Sequence, residues 1–381
     1  MYNCYLTCPR GLEHIAQLDL ANHISSSEID QGGIRFKTDL EGIYKINIHS
    51  RIGMHLLVQL LSFSAEDDSE IYNQVYNFSW DSIINKNQNF MIKIRGYSKQ
   101  FKNLNYITLK IKDAIVDKIK KIRLSRPSIN KINPDIISSV FISDSKFIIY
   151  IDSSGTSLHK RGYRTKIHKA SLNEALASGL IMLSNWNRLD PFYDPMCGSG
   201  TIPIEAAMIA YNIAPGLLRK HFAFQKWLDY NDNLLADIKN EAQKNINIDS
   251  SIKISGSDLL FNNIAIALSS SKSLTLQNHI QFIKKDIKDF TPANNPGVII
   301  TNPPYGERLG KLNQEIILLY KTIGDILKNK CRDFNAYIFT SNIEATKSIG
   351  LKVNKRFVLK NGALDCRLLH YPINAGNYSV K

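Results

Sequence analysis

The residues with the clearest chemical meaning lie at positions 302–305, directly after the apolar run Val298–Ile300. An aromatic amine is a poor nucleophile because its lone pair is delocalised into the ring. The side-chain oxygen of Asn302 and the backbone carbonyl of Pro303, held rigid by two prolines, can accept from both hydrogens of such an amine. Tyr305 supplies a face on which an extruded base can stack. A double proline can also be a plain strand terminator, but this combination favours a site that methylates an exocyclic amine.

A glycine-containing loop, DPMCGSGT, follows an earlier apolar run, Phe192-Tyr193. Asp194 ends the predicted strand, Gly198 and Gly200 permit a tight turn and close approach of a ligand, and Thr201 opens a helix. The loop matches neither the dinucleotide fingerprint nor a nucleotide phosphate-binding loop. An acid before the turn suits a cofactor that has a cationic group and no phosphate. S-adenosylmethionine has both properties.

Two further acids follow the next two predicted strands. Asp258 can accept from both ribose hydroxyls of such a cofactor, and Asp286 can accept from its adenine amine. Each alone could be an ordinary strand-end or helix-capping residue, but three acids at the ends of three successive strands favour a binding site. Cys197 lies in the cofactor loop, and we interpret it as a packing residue rather than a nucleophile.

The spacing of apolar residues predicts how these side chains are positioned. From about Leu172, apolar strands alternate with amphipathic helices, which is typical of a doubly wound, mostly parallel sheet. Two last strands around Asn361-Gly362 predict a C-terminal antiparallel hairpin. The first 60 or so residues read strand, helix, strand, helix, strand. Residues 90–151 read strand, helix, strand, strand, with a helix over Tyr106–Leu124.

The positive charge is concentrated in two segments. The 381-residue chain has a formal net charge of +14, and residues 86–131 hold thirteen Lys or Arg against two acids. A second cluster, within 160–169, has five basic residues and no acid. Basic character of this kind points to nucleic acid as partner, although a solvated basic helix face is the alternative. The candidate RNA contacts are Arg95, Lys99, Lys102, Lys110, Lys160, Arg161 and Arg164.

Composition excludes several other classes of protein. A hydrophobic content of 44% with 22% charged residues is that of a globular chain. The five cysteines have scattered spacings, which predicts reduced thiols, no disulfide framework and no metal site. The N-terminus shows no signal-peptide pattern, and no apolar run approaches the roughly 20 residues that cross a bilayer. We therefore expect a cytoplasmic protein.

The motifs together resemble a known family. DPMCGSGT and NPPYGERLG look like the cofactor and catalytic motifs of class I methyltransferases, and SLHKRGYR (157–164), APGLLRKHFAFQKW (214–227) and NGALDC (361–366) sharpen the match to THUMP-domain methyltransferases of the RlmL/YpsC type. The resemblance covers nearly the entire chain. It implies a ferredoxin-like domain over 1–61, a THUMP RNA-binding domain over 62–155, a basic linker and helix over 156–185, and a Rossmann-like methyltransferase domain over 186–381.

The resemblance also implies roles and a substrate. Asp194, Cys197, Gly198, Gly200 and Thr201 would lie around the methionine part of S-adenosylmethionine, Asp258 at the ribose and Asp286 at the adenine. Asn302, which also borders the cofactor, would hold a guanine together with Pro303 and Tyr305, for N2 methylation in 23S rRNA or a pre-ribosomal particle. The chain departs from the pattern where relatives often have a second acid, at Leu260, and an Asn-Ala pair, at Ser270-Ser271.

Three alternatives remain open on the residues alone. The same domains serve tRNA guanine-N2 methylation. An Asn-Pro-Pro-Tyr motif serves adenine amines equally well, which allows DNA adenine-N6 methylation. The third alternative is a non-catalytic RNA-binding assembly factor that retains the fold.

Overall fold

The first 152 residues form a single eight-stranded sheet in the computed structural model, which describes residues 1–164, 172–249, 251–293, 296–306 and 314–374. Its elements are β1 (Tyr2–Thr7), α1 (Glu13–Asp19), β2 (Ser27–Asp30), β3 (Gly33–Thr38), α2 (Leu40–His49), β4 (His55–Ser64), α3 (Asp68–Asn77), β5 (Asn89–Tyr97), α4 (Leu104–Arg123), β6 (Ser128–Ile129), β7 (Ile136–Ser143) and β8 (Lys146–Asp152). The strands lie in the order β2-β3-β1-β4-β8-β7-β5-β6.

Strand β4 makes this sheet continuous. Along one edge it pairs antiparallel with β1, where Cys4 lies opposite Val58. Along the other edge it pairs with β8 over nearly its whole length, with a bulge between Gln59 and Leu61. The boundary predicted between residues 61 and 62 thus falls inside β4, so the two N-terminal units share one sheet.

The remaining described residues build a seven-stranded sheet. Its elements are α5 (Glu174–Leu183), β9 (Phe192–Asp194), α6 (Thr201–Ala210), α7 (Asp232–Lys244), β10 (Ile254–Asp258), α8 (Phe261–Lys272), β11 (Ile280–Lys284), β12 (Val298–Thr301), α9 (Gln314–Lys330), β13 (Asn335–Thr340), α10 (Ile343–Thr346), β14 (Lys355–Asn361) and β15 (Leu364–Pro372). The order is β11-β10-β9-β12-β13-β15-β14, parallel except that β15 runs antiparallel between β13 and β14. The predicted α/β fold class, with its C-terminal hairpin, is confirmed.

Helices cover both faces of the second sheet. Phe192 of β9 packs in one hydrophobic core with α6, whereas Tyr193 packs in a second core with α9. All four residues of β12 are buried as well, because helices cover both faces of the sheet. Continuous apolar runs are expected for parallel strands that are covered on both faces. Only the strand ends are then left to meet a ligand.

Several local features differ from the sequence-based expectation. Strands β2 and β6 and helix α10 were not predicted, because they are short and largely polar. The acidic stretch at 66–68, for which the sequence allows a linker or the start of a helix, leads into helix α3, where the Asp67 side chain accepts from the amide of Glu70 at 2.8 Å. Short 3₁₀ turns lie at Trp80–Ser82, Pro215–Leu218, Ala223–Lys226, Ile287–Asp289 and Lys347–Ile349. Within the described residues, no helix is both long and apolar enough to span a membrane.

Candidate active site

The site lies where the strand order of the second sheet reverses. The chain builds β9, β10 and β11 outward in one direction and then returns to place β12 on the other side of β9. Ligands of open α/β sheets bind at such a switch point, at the carboxyl ends of the strands. Asp194 ends β9 and Thr301 ends β12, and the Thr301 hydroxyl donates to Asp194 Oδ1 at 2.9 Å. One hydrogen bond therefore joins the predicted cofactor loop to the predicted catalytic loop.

A cavity of about 1240 Å³ opens at this edge. It is lined by the predicted cofactor and catalytic residues Asp194, Cys197, Gly198, Thr201, Asp258, Asp286, Asn302, Pro303 and Tyr305. Gly200 is not among its lining residues in the described part of the chain. A Cβ at Gly200 would lie 2.8 Å from the Cβ of Ala267, so this glycine packs behind the loop.

The loop conformation depends on glycine at a half-buried position that borders open space. Gly198 has φ +53, and a Cβ added there would meet nothing within 4 Å, so it faces open space on the cavity side. The neighbouring Cys197 is buried, and its amide donates to the carbonyl of Ser257 at 2.8 Å. Burial raises the pKa of the Cys197 thiol well above its usual range. Cys197 therefore stays protonated, which agrees with a packing role.

Asp194 is a buried acid at the end of β9. It is 2% exposed, and none of the described residues forms an ion pair with it. Burial raises its pKa to about 7, against the opposing effect of the Thr301 hydroxyl and the Met196 amide, and the charge of Asp258 raises it further. A cationic ligand in the adjoining cavity would compensate this buried carboxylate.

Asp258 holds the glycine loop to the end of β10. Its Oδ2 accepts from the Gly198 amide at 2.9 Å, and its Oδ1 accepts from the Leu260 amide and from Asn263 Nδ2, each at 2.9 Å. A carboxylate offers about four acceptor positions, so one on Oδ2 remains for a ribose hydroxyl. Leu260 contributes its backbone amide to this network.

Asp286 lies two residues beyond the end of β11. Its side chain accepts from the Lys288 amide at 3.0 Å and so begins the 3₁₀ turn at Ile287–Asp289. Ile287 is buried and also lines the cavity. This turn therefore places a carboxylate and an apolar side chain next to each other, a combination that can hold a flat heteroaromatic ring with one polar edge.

The loop after β12 is held by a hydrogen bond of its own and by contacts with Phe339 and Asn342. The Tyr305 hydroxyl donates to Asn302 Oδ1 at 2.6 Å, and Asn342 Nδ2 donates to the Tyr305 carbonyl at 2.8 Å. The Tyr305 ring packs edge-on against Phe339, with centroids 6.5 Å apart. Burial raises the pKa of Tyr305 far above its usual range, so its hydroxyl remains a donor. Residues 307–310 of the motif lie outside the described residues.

The basic residues predicted to bind RNA fall into different environments. Arg95, Lys99, Lys102 and Lys160 are exposed. Lys110 pairs with Asp68 at 3.2 Å and lies 5.7 Å from the Tyr72 ring centroid. The last two cations of the 160–169 cluster, Lys166 and Lys169, lie outside the described residues.

Arg161 and Arg164 face the interior of the protein, which corrects their expected RNA-facing position. Arg161 is fully buried and pairs with Glu205 of α6 at 3.5 Å. Arg164 pairs with Glu174 of α5 at 3.0 Å and donates to the Thr201 hydroxyl at 2.9 Å. Both arginines therefore anchor the interdomain segment to helices of the methyltransferase domain, and Arg164 reaches the first residue of the helix that follows the cofactor loop.

Sequence reasoning missed other residues that position the site. Arg219 is buried, and its guanidinium donates to backbone carbonyls of the interdomain segment, those of Ser154, Thr156, Ser157 and Lys160. It lies in the 214–227 stretch, whose only signal was the family resemblance. Thr301 and Asn342 carried no signal, because single Thr and Asn residues at element ends are common.

The strand order, the acid and glycine loop at the switch point and the NPPY loop after β12 define a class I methyltransferase. A family profile described as the RMKL-like methyltransferase domain matches residues 161–370, a THUMP domain profile matches 65–152, and an RlmL ferredoxin-like domain profile matches 3–56. The chain belongs to the RMKL-like methyltransferase family.

Individual relatives agree with this assignment. The ribosomal RNA large subunit methyltransferase K/L of Shewanella pealeana is 34% identical over 99% of this chain, and the match covers 54% of that protein. The chain thus spans about half the length of the K/L relatives it matches. The Synechocystis protein slr0064, provisionally named an RNA methyltransferase, is 33% identical, with 97% of this chain and 96% of that protein covered.

A solved structure matches the whole architecture. The crystal structure of SMU.472, described as a methyltransferase complexed with SAH, aligns with a TM-score of 0.90 and 29% identity. The alignment covers 100% of this chain and 99% of that one. The arrangement of the two sheets is therefore shared with a protein whose solved structure contains SAH.

Proposed function

We propose that this protein transfers a methyl group from S-adenosylmethionine to the exocyclic N2 amine of a guanine in 23S rRNA. One observation carries the proposal. Asn302 and Pro303 line the same cavity as the buried acid Asp194, and Thr301 links the two loops by a 2.9 Å hydrogen bond. An acceptor pair for an amine and a counter-charge for a cationic cofactor therefore share one site.

The residues present fit the proposed cofactor. Asp194 forms no ion pair with a residue that the structure describes, Gly198 leaves open space for close approach, and the turn at Asp286 offers an acceptor beside the apolar Ile287. The SAH complex of the structural relative supports the same cofactor. When bound, S-adenosylmethionine supplies an electrophilic methyl group on a sulfonium.

The chain's own residues would hold the amine for in-line attack. An amide oxygen has two acceptor positions, and the Tyr305 hydroxyl occupies one position on Asn302 Oδ1, which leaves the other for an amine hydrogen. The Pro303 carbonyl would accept from the second hydrogen. When both hydrogens are held, the amine lone pair is left to point at the methyl group. Positioning of this kind can supply a large part of a rate enhancement. Stacking of the base on Tyr305 remains part of the proposal.

The choice of RNA, and of guanine, has separate support. Arg95, Lys99, Lys102 and Lys160 are exposed cations that can contact phosphates, and the THUMP match covers the first three. The names of the K/L relatives support ribosomal RNA. The choice of guanine N2 is supported by the family resemblance. The two acceptors do not decide it, because they would serve an adenine amine equally well.

The proposal is tested by transfer of radiolabelled methyl groups to RNA and DNA from a strain that lacks the gene. Ribosomal RNA, pre-ribosomal particles, tRNA and DNA are offered separately, and labelled nucleosides are identified by mass spectrometry. We expect N2-methylguanosine in 23S rRNA. Label in tRNA, or N6-methyladenine in DNA, would contradict the proposal. Absence of any transfer, with no cofactor binding by calorimetry, would indicate a non-catalytic factor.

A further inference from the structure

One face of the N-terminal sheet carries rings and cations side by side. Alternate residues of β5, β7 and β8, such as Phe90, Val140 and Ile149, belong to the hydrophobic core together with α4. The residues between them point to the opposite side, because successive side chains of a strand alternate between faces. We call this surface the sheet platform, and it is formed by Lys93, Arg95, Tyr97, Phe141, Lys146 and Ile148.

The strand register brings these side chains together. Arg95 lies opposite Phe141 in the parallel pairing of β5 with β7, and Phe141 lies opposite Ile148 in the antiparallel pairing of β7 with β8. Tyr97 is two residues beyond Arg95, so its Cβ lies about 7 Å from that of Phe141 on the diagonal. Tyr97 is 68% exposed and Phe141 is 45% exposed. Two large rings thus stand open to solvent next to each other.

The charge of the platform is not neutralised. None of Lys93, Arg95 and Lys146 is ion-paired with a residue that the structure describes. The acid at an outward position of these three strands is Asp152, which is 1% exposed and contacts His55 Nδ1 at 2.9 Å. Asp152 is thus buried in its own contacts, whereas Asp144, in the turn between β7 and β8, is exposed at the edge of the platform and its amide donates to the Tyr97 carbonyl at 2.9 Å.

The basic face of α4, which has the higher density of lysines, contacts α3 along part of its length, while Lys120 and Lys121 are exposed. Lys110 pairs with Asp68, and Lys118 lies 5.5 Å from the Tyr76 ring centroid. The Tyr72 hydroxyl donates to Asp117. Helix α4 thus offers fewer unpaired cations than its sequence indicates, and its exposed ring, Tyr106, donates its hydroxyl to Asp68 at 2.7 Å.

We infer that the sheet platform binds single-stranded RNA, with bases stacked on Phe141 and Tyr97 and phosphates held by Arg95, Lys93 and Lys146. Exposed aromatic rings flanked by cations suit a strand whose bases are unstacked, since every base has a face to stack and a phosphate to pair. A duplex keeps its base faces inside its own stack. The inference rests on the proposed function for its choice of RNA, and it adds an anchoring surface separate from the methyl-transfer cavity.

The test separates stacking from simple apolar contact at one position. Affinity for a fluorescent single-stranded RNA of about 12 nucleotides, and for a duplex of the same sequence, is measured by anisotropy. We expect Phe141→Leu to weaken single-strand binding about 10-fold, the effect of one stacked base. Phe141→Tyr should bind as wild type, and Phe141→Trp should show quenched tryptophan emission on RNA addition. The matched control is Leu109→Ala, which removes a 54% exposed apolar side chain from α4.

Each outcome decides for or against the platform. Equal binding by wild type and Phe141→Leu, or equal affinity for duplex and single strand, would overturn it. A changed oligomeric state in Phe141→Leu with unchanged RNA affinity would show a self-association surface instead. Methyl transfer by the same variants is assayed at saturating rRNA. Normal turnover with weakened RNA binding supports both proposals, whereas RNA binding that depends on Phe141 without any transfer supports the platform and contradicts the proposed function.

Discussion

The N-terminal sheet has an exposed face, whereas the C-terminal sheet exposes polar residues at the ends of its strands. The N-terminal sheet has its helices on one face and leaves Tyr97 and Phe141 exposed on the other. The C-terminal sheet is covered on both faces, and its polar residues, Asp194 and Asn302, come at strand ends. A face suits a long polymer that needs many weak contacts. A sheet edge suits small groups that must be fixed in a cavity. The two sheets can therefore divide anchoring from chemistry.

Replacing Asn302, the proposed amine acceptor at the sheet edge, is expected to have the largest effect on methyl transfer. Asn302→Ala deletes one of the two proposed amine acceptors and the partner of the Tyr305 hydroxyl. We expect turnover to fall by about 10³-fold, as when one preorganised polar group of an active site is lost. Cofactor affinity, by calorimetry, should stay within a few-fold, and RNA affinity should not change. Retained methyl transfer would remove Asn302 from the assigned role.

The second largest effect is expected in the segment between the two sheets, where a buried ion pair anchors the chain. Arg161→Met leaves Glu205 in a fully buried site without its cation, and breaking a buried ion pair typically costs about 3–5 kcal/mol. Urea unfolding should show this loss, and the double variant Arg161→Met with Glu205→Gln should recover part of it. Lys160→Met is the matched control, because the adjacent Lys160 is exposed. Equal free energies of unfolding for Arg161→Met and Lys160→Met would contradict the anchoring role of Arg161.

The same residues show what sequence could and could not predict. The acids at strand ends and the NPPY loop were recognised because strand periodicity places them at one edge, and the structure brings nearly all of them to one cavity. The burial of Arg161 and Arg164 could not be predicted, because a run of cations looks the same whether its partners are phosphates or distant acids such as Glu205 and Glu174. The continuity of β4 with β8 depends on long-range pairing, which local pattern does not encode.

Asp194 gives the sheet edge a pH dependence that the platform should lack. Its pKa of about 7 lies above the ordinary 3.8, so the folded protein without cofactor holds this proton more tightly than the unfolded chain does. The resulting stabilisation is present below about pH 4 and is lost as pH rises towards 7. A cationic cofactor requires the ionised form, so its affinity should fall as pH drops below 7.

The variant Asp194→Asn tests this assignment directly. We expect cofactor affinity to fall at least about 10-fold at pH 8, because a neutral amide cannot pair with a cation. The thermal stability of the protein without cofactor should lose its decline between about pH 4 and 7. RNA affinity measured over the same pH range should match wild type. A wild-type pH profile of cofactor binding in this variant would assign the titration to another group.

The smallest expected effect distinguishes the platform from helix α4 by salt dependence. Each phosphate contact to a single strand adds about 0.7 to the magnitude of the slope of log affinity against log salt. Arg95→Ala removes an exposed cation of the platform, so the slope should decrease by about 0.7 and affinity should fall a few-fold at moderate salt. Lys110→Ala removes a lysine of α4 that already pairs with Asp68, so its slope should stay near that of wild type. If Lys110→Ala lowers the slope and Arg95→Ala does not, helix α4 rather than the sheet platform contacts the phosphates. The N-terminal sheet would then not bind RNA through its exposed face.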